Sequence, residues 1–218
     1  MNKVIGIEEA VNFIKNGSTI MINGFMGVKS PELLINTIID KGIGNLTVIA
    51  NDTSIPGIGI GKLISNRRIK KLVASHIGLN PETGLQMNGA KLEVELVPQG
   101  TLAERIRCGG SGIGGFLTAT GIGTSIEDGK QKISVNGKDY ILELPLKADV
   151  AIIKGSIVDT LGNVFYKGTT KNFSLVMAMA ADIVIVEAEE IVEAGEIDPD
   201  VVMTPGLFVD YIVRGEIS

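Results

Sequence analysis

Short apolar runs alternate with helix-like patterns along most of this chain. Runs bounded by polar residues or glycine predict buried strands over residues 18–22, 46–50, 71–75, 92–97, 149–156 and 182–189. Apolar residues at helical spacing predict helices over residues 7–15, 30–41, 98–107 and 172–181. A strand with a polar or glycine-rich end that leads into a helix is typical of βα units. The pattern therefore predicts an α/β fold with a mostly parallel central sheet flanked by helices.

Two turn signals and a less regular tail complete the pattern. Residues 131–144 alternate between apolar and polar around Asn136-Gly137, which is a strong hairpin signal. A further turn and strand are expected around Gly162-Asn163, and a last helix near residues 207–213. The chain shows no internal repeat and no linker rich in proline or serine, so residues 1–218 are predicted to form a single domain.

The carboxyl ends of the predicted strands are where a ligand should bind, because ligands of parallel sheets lie outside those ends. The loops concerned are residues 23–30, 51–61, 76–84 and 98–101. Their notable polar residues are Asn23, Asn51, Asp52, His76 and Gln99. The amides of Asn51 and Gln99 can donate to a carboxylate or thioester oxygen. The set predicts a polar pocket for a small acyl or carboxylate group, without a convincing nucleophile. His76 follows a predicted strand and could contact a ligand, but it is interpreted as a hydrogen-bonded structural histidine.

The stretch NGFMGVKSPELL (residues 23–34) leads from a strand through a glycine-containing bend into a helix. Ser30 is expected to cap that helix, with Pro31 at its first position. The best-known phosphate loops do not match this spacing. Elsewhere, GIGIGK (57–62) lacks the P-loop spacer, and GSGIGG (110–115) has no preceding strand. A G-x-S-x-G nucleophile elbow is not found either.

Composition narrows the function further. The net charge of −5 argues against nucleic acid as the main partner, and the basic cluster within residues 67–71 is interpreted as a solvated loop. The single cysteine, Cys108, excludes an intrachain disulfide, and the single histidine excludes a His-rich zinc site. Cys108 is expected near a helix C-terminus, which does not lower a thiol pKa, so it is not interpreted as a nucleophile.

Neither a signal peptide nor a membrane span is expected. The N-terminal region carries acidic residues, and no uncharged apolar run reaches the roughly 18 residues that would cross a bilayer. The expected location is the cytoplasm. Residues 108–115, CGGSGIGG, are expected to form a loop or lid, with a plain flexible connector as an equal alternative.

Several of these segments resemble the family I CoA-transferases. INGFMGVKSPELL resembles the coenzyme A motif of that family, and VPQGTLAERIRCGGSGIGGF is more distinctive still. IANDTS, ASHIGLNPETG and GNVFYKGTTKNF also match. The resemblance covers nearly the whole chain and is to the α subunits of the acetate and butyrate–acetoacetate members. Asn23 replaces the first glycine of the usual pair, and Asp52 stands where succinate-using members tend to have a second asparagine.

The resemblance implies covalent, ping-pong catalysis. In this family a glutamate attacks the acyl-CoA thioester and gives a mixed anhydride and CoA thiolate. The thiolate then forms a glutamyl-CoA thioester, and the incoming carboxylate reverses the sequence. The glutamate belongs to a Ser-Glu-Asn-Gly-like motif on the β half; SNRR (65–68) and VNGK (135–138) are not equivalents. The resemblance thus implies no catalytic residue in this chain, a separate β subunit, and an α2β2 heterotetramer with its active site between α and β.

The same resemblance assigns roles to the candidate residues. The coenzyme A loop would consist of Gly24, Phe25, Met26, Gly27, Val28, Lys29 and Ser30. The acyl or carboxylate end of the substrate would contact Asn51, Asp52 and Gln99. Coenzyme A is then a substrate, with no cofactor bound covalently and no metal expected. Glu104 is interpreted as a structural residue that pairs with Arg107 or a nearby cation.

Asp52 is expected to influence the choice of acceptor. A carboxylate there should disfavour a dicarboxylate such as succinate, since like charges a few Å apart cost on the order of 1 kcal/mol or more at an effective dielectric constant near 20. It would suit acetate, butyrate or acetoacetate, and Asp52→Asn should raise the use of succinate. The alternative is that Asp52 merely caps the turn at residues 52–54.

Two other functions stay open at this point. The chain could be a non-catalytic domain that binds a CoA ester or a sugar phosphate as an effector, on a similar fold. It could also be a self-contained CoA hydrolase or isomerase. That enzyme would need its own glutamate, and Glu187 and Glu189 follow a predicted strand.

Overall fold

The computed structural model describes residues 3–215. The strands are β1 (Thr19–Ile22), β2 (Leu46–Asp52), β3 (Ile69–His76), β4 (Glu93–Leu96), β5 (Phe116–Thr118), β6 (Lys132–Val135), β7 (Lys138–Glu143), β8 (Ala148–Asp159), β9 (Val164–Phe165), β10 (Ala181–Val192) and β11 (Tyr211–Arg214). The α-helices are α1 (Ile7–Val11), α2 (Glu32–Asp40), α3 (Ile60–Ser65), α4 (Pro81–Asn88), α5 (Gln99–Gly110) and α6 (Ser174–Met179). Short 3-10 turns lie at Ser125–Glu127, Gly168–Thr170, Pro199–Val201 and Gly206–Phe208.

The central sheet has the strand order β11-β10-β8-β1-β2-β3-β4, and every neighbouring pair on this path is parallel. The short strand β9 pairs antiparallel with β8. A separate antiparallel sheet has the order β5-β7-β6. Its turn residues Asn136 and Gly137 have φ of 52° and 75°, the positive values that a two-residue hairpin turn requires. The predicted parallel sheet and the added hairpin are both confirmed.

The two faces of the central sheet carry separate hydrophobic cores. Successive side chains of a strand point to opposite faces, so Ile20 and Ile22 belong to one core and Met21 to the other. Helices α1, α2 and α3 cover the first face, and α5 and α6 cover the second. Because both faces are covered, the strands read as nearly continuous apolar runs in the sequence.

The predicted elements differ from the observed ones mainly in the short helices. Helix α1 ends at Val11 rather than at residue 15, and α3 and α4 were not predicted. The helix predicted near residues 207–213 is wrong, because Tyr211–Arg214 forms a strand parallel to β10, with Ile212 and Val213 buried. A short apolar run cannot be assigned to helix or strand by periodicity alone. The basic residues within 67–71 reach into β3, where Lys71 pairs with Glu93 at 2.8 Å, so this cluster is not simply a loop.

The glycine-dense segment is not a loop over its whole length. Helix α5 continues through Cys108 to Gly110. A Cβ atom on Gly109 would lie 1.9 Å from the carbonyl oxygen of Leu146, and one on Gly110 would lie 2.6 Å from Cβ of Met179. These two glycines let α5 pack against neighbouring backbone. The prediction of a loop or lid is therefore wrong for residues 108–110.

None of the helices within residues 3–215 combines the length and apolar character needed to cross a membrane.

Candidate functional site

The β1–α2 loop, residues 24–30, folds back on itself in a tight turn. The backbone N–H of Val28 donates to the carbonyl of Phe25 at 2.9 Å, and Phe25 N–H donates to Val28 O at 3.4 Å. The two residues between them, Met26 and Gly27, have φ of 55° and 80°. This is the geometry of a two-residue hairpin turn. The motif region of the sequence therefore forms a small projecting hairpin rather than a phosphate-binding loop of known type.

Helix α2 begins just after this hairpin. Its N-cap is Pro31, with no side-chain capping bond, and the first helical residue is Glu32. The prediction that Ser30 caps the helix is therefore wrong. Ser30 is instead enclosed by glycines: a Cβ on Gly24 or Gly59 would lie 2.5 or 2.6 Å from its Oγ. Ser30 thus occupies the space that the two glycines leave.

The Asn23 side chain is fully buried beneath the loop. Its Nδ2 donates to the carbonyl of Thr170 at 3.1 Å and to Oγ of Ser174 at 2.8 Å. Its Oδ1 accepts from the backbone N–H of Lys154 at 2.8 Å. Asn23 therefore ties the end of β1 to β8 and to α6, and it does not line the predicted polar pocket. The buried amide thus anchors the base of the loop.

Asp52, at the end of β2, forms a hydrogen bond to the hairpin of residues 25–28. Its Oδ1 accepts from Ser54 N–H at 2.6 Å, and its Oδ2 accepts from Met26 N–H at 3.0 Å and from Nδ2 of Asn51 at 3.2 Å. The residue is only 5% exposed. The bond to Ser54 is the turn cap that the sequence allowed. The bond to Met26 is a tertiary contact that fixes the turn of the hairpin over the end of β2.

A cavity of about 410 Å³ lies beside the hairpin, and we call it the Gln99 cavity. It is lined by Phe25, Met26, Asn51, Asp52, Ser75, His76, Leu79 and Gln99. Nε2 of Gln99 donates to Oδ1 of Asn51 at 2.8 Å, and Oγ of Ser75 donates to the Asn51 carbonyl at 2.6 Å. Asn51, Asp52 and Gln99, predicted to act together, are thus brought together.

The Gln99 cavity suits a group that carries negative charge at one end. Helix α5 begins at Gln99, so the first backbone N–H groups of a 12-residue helix lie at this edge of the sheet. Such groups have no partner within the helix and favour an anion. Phe25, Met26 and Leu79 supply apolar surface in the same cavity. A short acyl or carboxylate group would find amide donors and apolar contacts together.

His76 lies exposed in the wall of this cavity. None of the hydrogen bonds within residues 3–215 involves its ring. The interpretation of His76 as a hydrogen-bonded structural histidine is therefore wrong. The ring packs near Gly78, where a Cβ would lie 2.9 Å from Cε1 of the imidazole.

A second cavity of about 540 Å³ lies on the other side of the hairpin, and we call it the Lys154 cavity. It is lined by Gly27, Lys29, Ser30, Glu32, Leu33, Asn36, Gly57, Ile58, Lys62, Lys154 and Glu187. Nζ of Lys154 lies 2.9 Å from Oε1 of Glu187, and the two side chains are 3% and 1% exposed. Lys62 pairs with Glu32 at 2.6 Å. The charges of this cavity are largely paired within the chain.

Glu187 and Glu189 are both engaged by partners within the chain. The second carboxylate oxygen of Glu187 accepts from Leu34 N–H, in the first turn of α2, at 3.0 Å. Burial raises the pKa of Glu187 above its ordinary value, although Leu34 N–H and Lys154 act against this. Glu189 pairs with Lys29 at 2.7 Å. Neither glutamate lines the Gln99 cavity.

Glu104 and Cys108, which the sequence analysis also considered, lie in structural surroundings. Glu104 pairs with Arg107 at 2.6 Å, as predicted. Cys108 is fully buried, and burial together with the nearby Glu104 raises the pKa of its thiol. A raised pKa makes the reactive thiolate scarcer. Residues 3–215 contain no group of three or more His, Cys, Asp and Glu side chains that could hold a metal ion.

Comparison with known proteins identifies the family of this chain. Residues 4–215 match the family model described as Coenzyme A transferase. The chain belongs to the coenzyme A transferase family. This confirms the family that the motifs around the β1–α2 loop and α5 indicated.

This CoA-transferase chain has relatives of the same length. It is 59% identical to the acetoacetyl-CoA:acetate/butyrate CoA transferase alpha subunit of Clostridium acetobutylicum, over 98% of each chain. It is 50% identical to the acetate CoA-transferase subunit alpha of Escherichia coli strain K12, over 99% of this chain and 98% of that one.

Solved structures share the fold of this CoA-transferase chain. The glutaconate coenzyme A-transferase from Acidaminococcus fermentans has a TM-score of 0.86 at 21% identity, over 98% of this chain and 76% of that chain. The acyl-CoA transferase apoenzyme from E. coli O157:H7 has a TM-score of 0.82 at 23% identity. It is a longer chain, of which this chain covers 47%. At such identities the likeness supports the fold alone.

Sequence reasoning missed the buried ion pair below the hairpin and two residues that line the Gln99 cavity, Ser75 and Leu79. The ion pair did leave a signal. Lys154 stands within the apolar run DVAIIKGS, and Glu187 within DIVIVEAE. Because a charged residue is seldom buried without a partner, opposite charges in two buried strands indicate a pair.

Proposed function

We propose that this chain is the α subunit of a cytoplasmic CoA-transferase that moves CoA between a short-chain acyl-CoA and a short-chain carboxylate. The acyl groups would be acetyl, butyryl and acetoacetyl, as the names of the similar proteins from C. acetobutylicum and E. coli suggest. The observation that carries the proposal is the Gln99 cavity. It combines the amide side chains of Asn51 and Gln99, the N-terminus of α5 and apolar surface, beside the hairpin of the β1–α2 loop.

The nucleophile of the proposed reaction comes from a β subunit. The carboxylate that this chain contributes to the lining of the Gln99 cavity belongs to Asp52. Both of its oxygens already accept hydrogen bonds, from Ser54, Met26 and Asn51, so it is not placed to act as the nucleophile. A glutamate supplied in trans would attack the thioester carbonyl, and the C–S bond would break to release CoA thiolate. The thiolate would then attack the mixed anhydride, releasing the carboxylate of the donor. An α2β2 assembly with the site between α and β fits this division.

The residues of this chain would orient the substrate. Gln99 and Asn51 would donate to the acyl or carboxylate oxygens, which carry more negative charge in the transition state than in the thioester. Residues 24–30 would contact CoA, with Phe25 and Met26 on the side of the Gln99 cavity and Gly27, Lys29 and Ser30 on the side of the Lys154 cavity. The hairpin would therefore lie along the bound thioester.

Replacing Asp52 by asparagine should shift acceptor use towards succinate relative to acetate. The carboxamide removes the negative charge, but its NH₂ group, which takes the place of one carboxylate oxygen, can only donate. One of the two backbone donors, Met26 N–H or Ser54 N–H, therefore loses its acceptor, and total activity should also fall. The informative measurement is the ratio of kcat/KM for succinate to that for acetate in the α–β complex. An unchanged ratio with reduced activity would mean that Asp52 acts only by holding the hairpin.

The proposed function is tested by the consumption of acetoacetyl-CoA in the presence of acetate, followed as the loss of enolate absorbance. The chain is assayed alone and then with a β partner of the same gene neighbourhood that carries Ser-Glu-Asn-Gly. Activity in the mixture only is the expected result. Activity of this chain alone would overturn the nucleophile in trans. CoA-ester binding without turnover in either sample would favour the effector-binding alternative.

A further inference from the structure

Lys29 has a backbone conformation that a lysine seldom adopts. Its φ is 59°, in the left-handed region that favours glycine. A non-glycine residue there costs about 1–2 kcal/mol. Met26, three positions earlier in the same hairpin, has φ of 55°. A loop with two such residues keeps its shape only where surrounding contacts over-determine it.

One such contact comes from Glu189, in the C-terminal part of β10. Nζ of Lys29 lies 2.7 Å from Oε1 of Glu189, and the two side chains are 24% and 11% exposed. Strand β8 separates β10 from β1 in the sheet. The pair therefore spans two strand spacings, about 10 Å in all. This ion pair connects the hairpin to a strand that is not a direct neighbour of β1, so it restrains the position of the whole hairpin relative to the sheet.

The opposite side of the hairpin is held by Asp52 at the end of β2, through Met26 N–H at 3.0 Å. Strand β2 is the other neighbour of β1. The hairpin is thus fastened in two directions across the carboxyl edge of the sheet, by Asp52 on one flank and Glu189 on the other. Loss of either contact would let Phe25 and Met26 move away from the Gln99 cavity that they line.

We propose that Lys29 is a positioning residue for CoA transfer, whose ion pair with Glu189 holds the hairpin against the substrate. This rests on the function proposed above. Lys29 itself contacts no reacting atom in this role. Its effect reaches the chemistry through the wall of the Gln99 cavity, where a shift of about 1 Å can cost up to about 10²-fold in rate.

The first measurement follows the hairpin directly, by hydrogen–deuterium exchange of the peptide that covers residues 23–31 in the full chain. Lys29→Met and Glu189→Gln should each speed exchange at the Val28 and Met26 amides. Lys132→Met is the matched control, because Lys132 forms a pair of the same 2.7 Å length with Glu127, and neither residue lines the Gln99 cavity or the Lys154 cavity. Unchanged exchange in both hairpin variants would overturn the proposal whatever the activity of the complex.

The second measurement is kcat/KM for acyl-CoA in the complex with the β subunit. Lys29→Met and Lys29→Gly should both lower it roughly tenfold, within the range expected for a misplaced substrate. Glycine relieves the strain at residue 29 but removes the charge. Lys29→Arg and the exchanged pair Lys29→Glu with Glu189→Lys should restore most of the activity. A fully active Lys29→Gly would overturn the positioning role, whereas an inactive wild-type complex would overturn the proposed function instead.

Discussion

Replacing Lys154 by methionine should lower the free energy of unfolding by about 3–5 kcal/mol. Methionine fills a similar volume, but the carboxylate of Glu187, 1% exposed, loses the cation 2.9 Å away. An ionised group that stays buried without its partner pays its desolvation cost in full. The loss should be visible in urea unfolding followed by far-UV circular dichroism, as a lower midpoint at an unchanged slope.

Two comparisons isolate the ion pair from simple loss of packing. The double variant Lys154→Met with Glu187→Gln should be more stable than Lys154→Met alone, since the amide oxygen can still accept from Leu34 N–H without a buried charge. Lys132→Met, which breaks an exposed pair, should change stability little.

The deficit of Lys154→Met should also depend on pH. Burial already raises the pKa of Glu187, and removal of the cation raises it further. A carboxyl group whose pKa is higher in the folded than in the unfolded state lowers the free energy of unfolding. This destabilisation is complete above the folded-state pKa and disappears as the pH falls towards the pKa in the unfolded chain. The deficit should therefore shrink in mild acid. A deficit that is the same at every pH would contradict an unpaired carboxylate as its cause.

Replacing Gln99 by alanine should lower kcat/KM for acyl-CoA by about 10²-fold in the complex with the β subunit, the loss typical of one donor to a developing oxyanion. The variant removes the Nε2 donor that lies 2.8 Å from Oδ1 of Asn51, and with it the restraint on the Asn51 amide. The fold should be retained, because Gln99 is the first residue of α5 and the helix has no side-chain cap to lose there.

Gln86 provides the matched control for this variant. Its Nε2 donates to the carbonyl of Ile64 at 2.8 Å, also as a side-chain amide on a helix, but outside the Gln99 cavity. Gln86→Ala should therefore leave kcat/KM near that of the wild type. If Gln99→Ala and Gln86→Ala behave alike, Gln99 does not contact the reacting group, and the substrate must bind elsewhere along the hairpin.

The sheet could be predicted well because its strands are buried on both faces. Such strands appear as apolar runs in the sequence, and the polar residues that follow mark the carboxyl edge. The hairpin at Asn136-Gly137 was equally clear, since few dipeptides adopt positive φ at both positions. Asn51 and Gln99, which the structure brings together, could be named as candidates for the same reason, because they follow predicted strands in the chain. The single-domain organisation stays a prediction.

The short helices and the tail were missed because their signals are local and weak. Helix α3 is six residues long, too short for a period to show. The tail strand Tyr211–Arg214 owes its state to pairing with β10, which is distant in the chain. Gly109 and Gly110 are helical despite their low propensity, since α5 must pack closely on Leu146 and Met179. Here tertiary packing overrides local preference.

The sequence by itself determined the class of fold and the family to which the chain belongs, and it pointed to the edge of the sheet where the candidate site lies. These depend on apolar periodicity and on residue types at strand ends, which are local properties. Only the tertiary structure decided what those residues do. It buried Asn23 as an anchor, fastened the hairpin between Asp52 and Glu189, and paired Lys154 with Glu187. Such roles depend on which strands become neighbours, and no local pattern encodes the distance between two side chains from different strands.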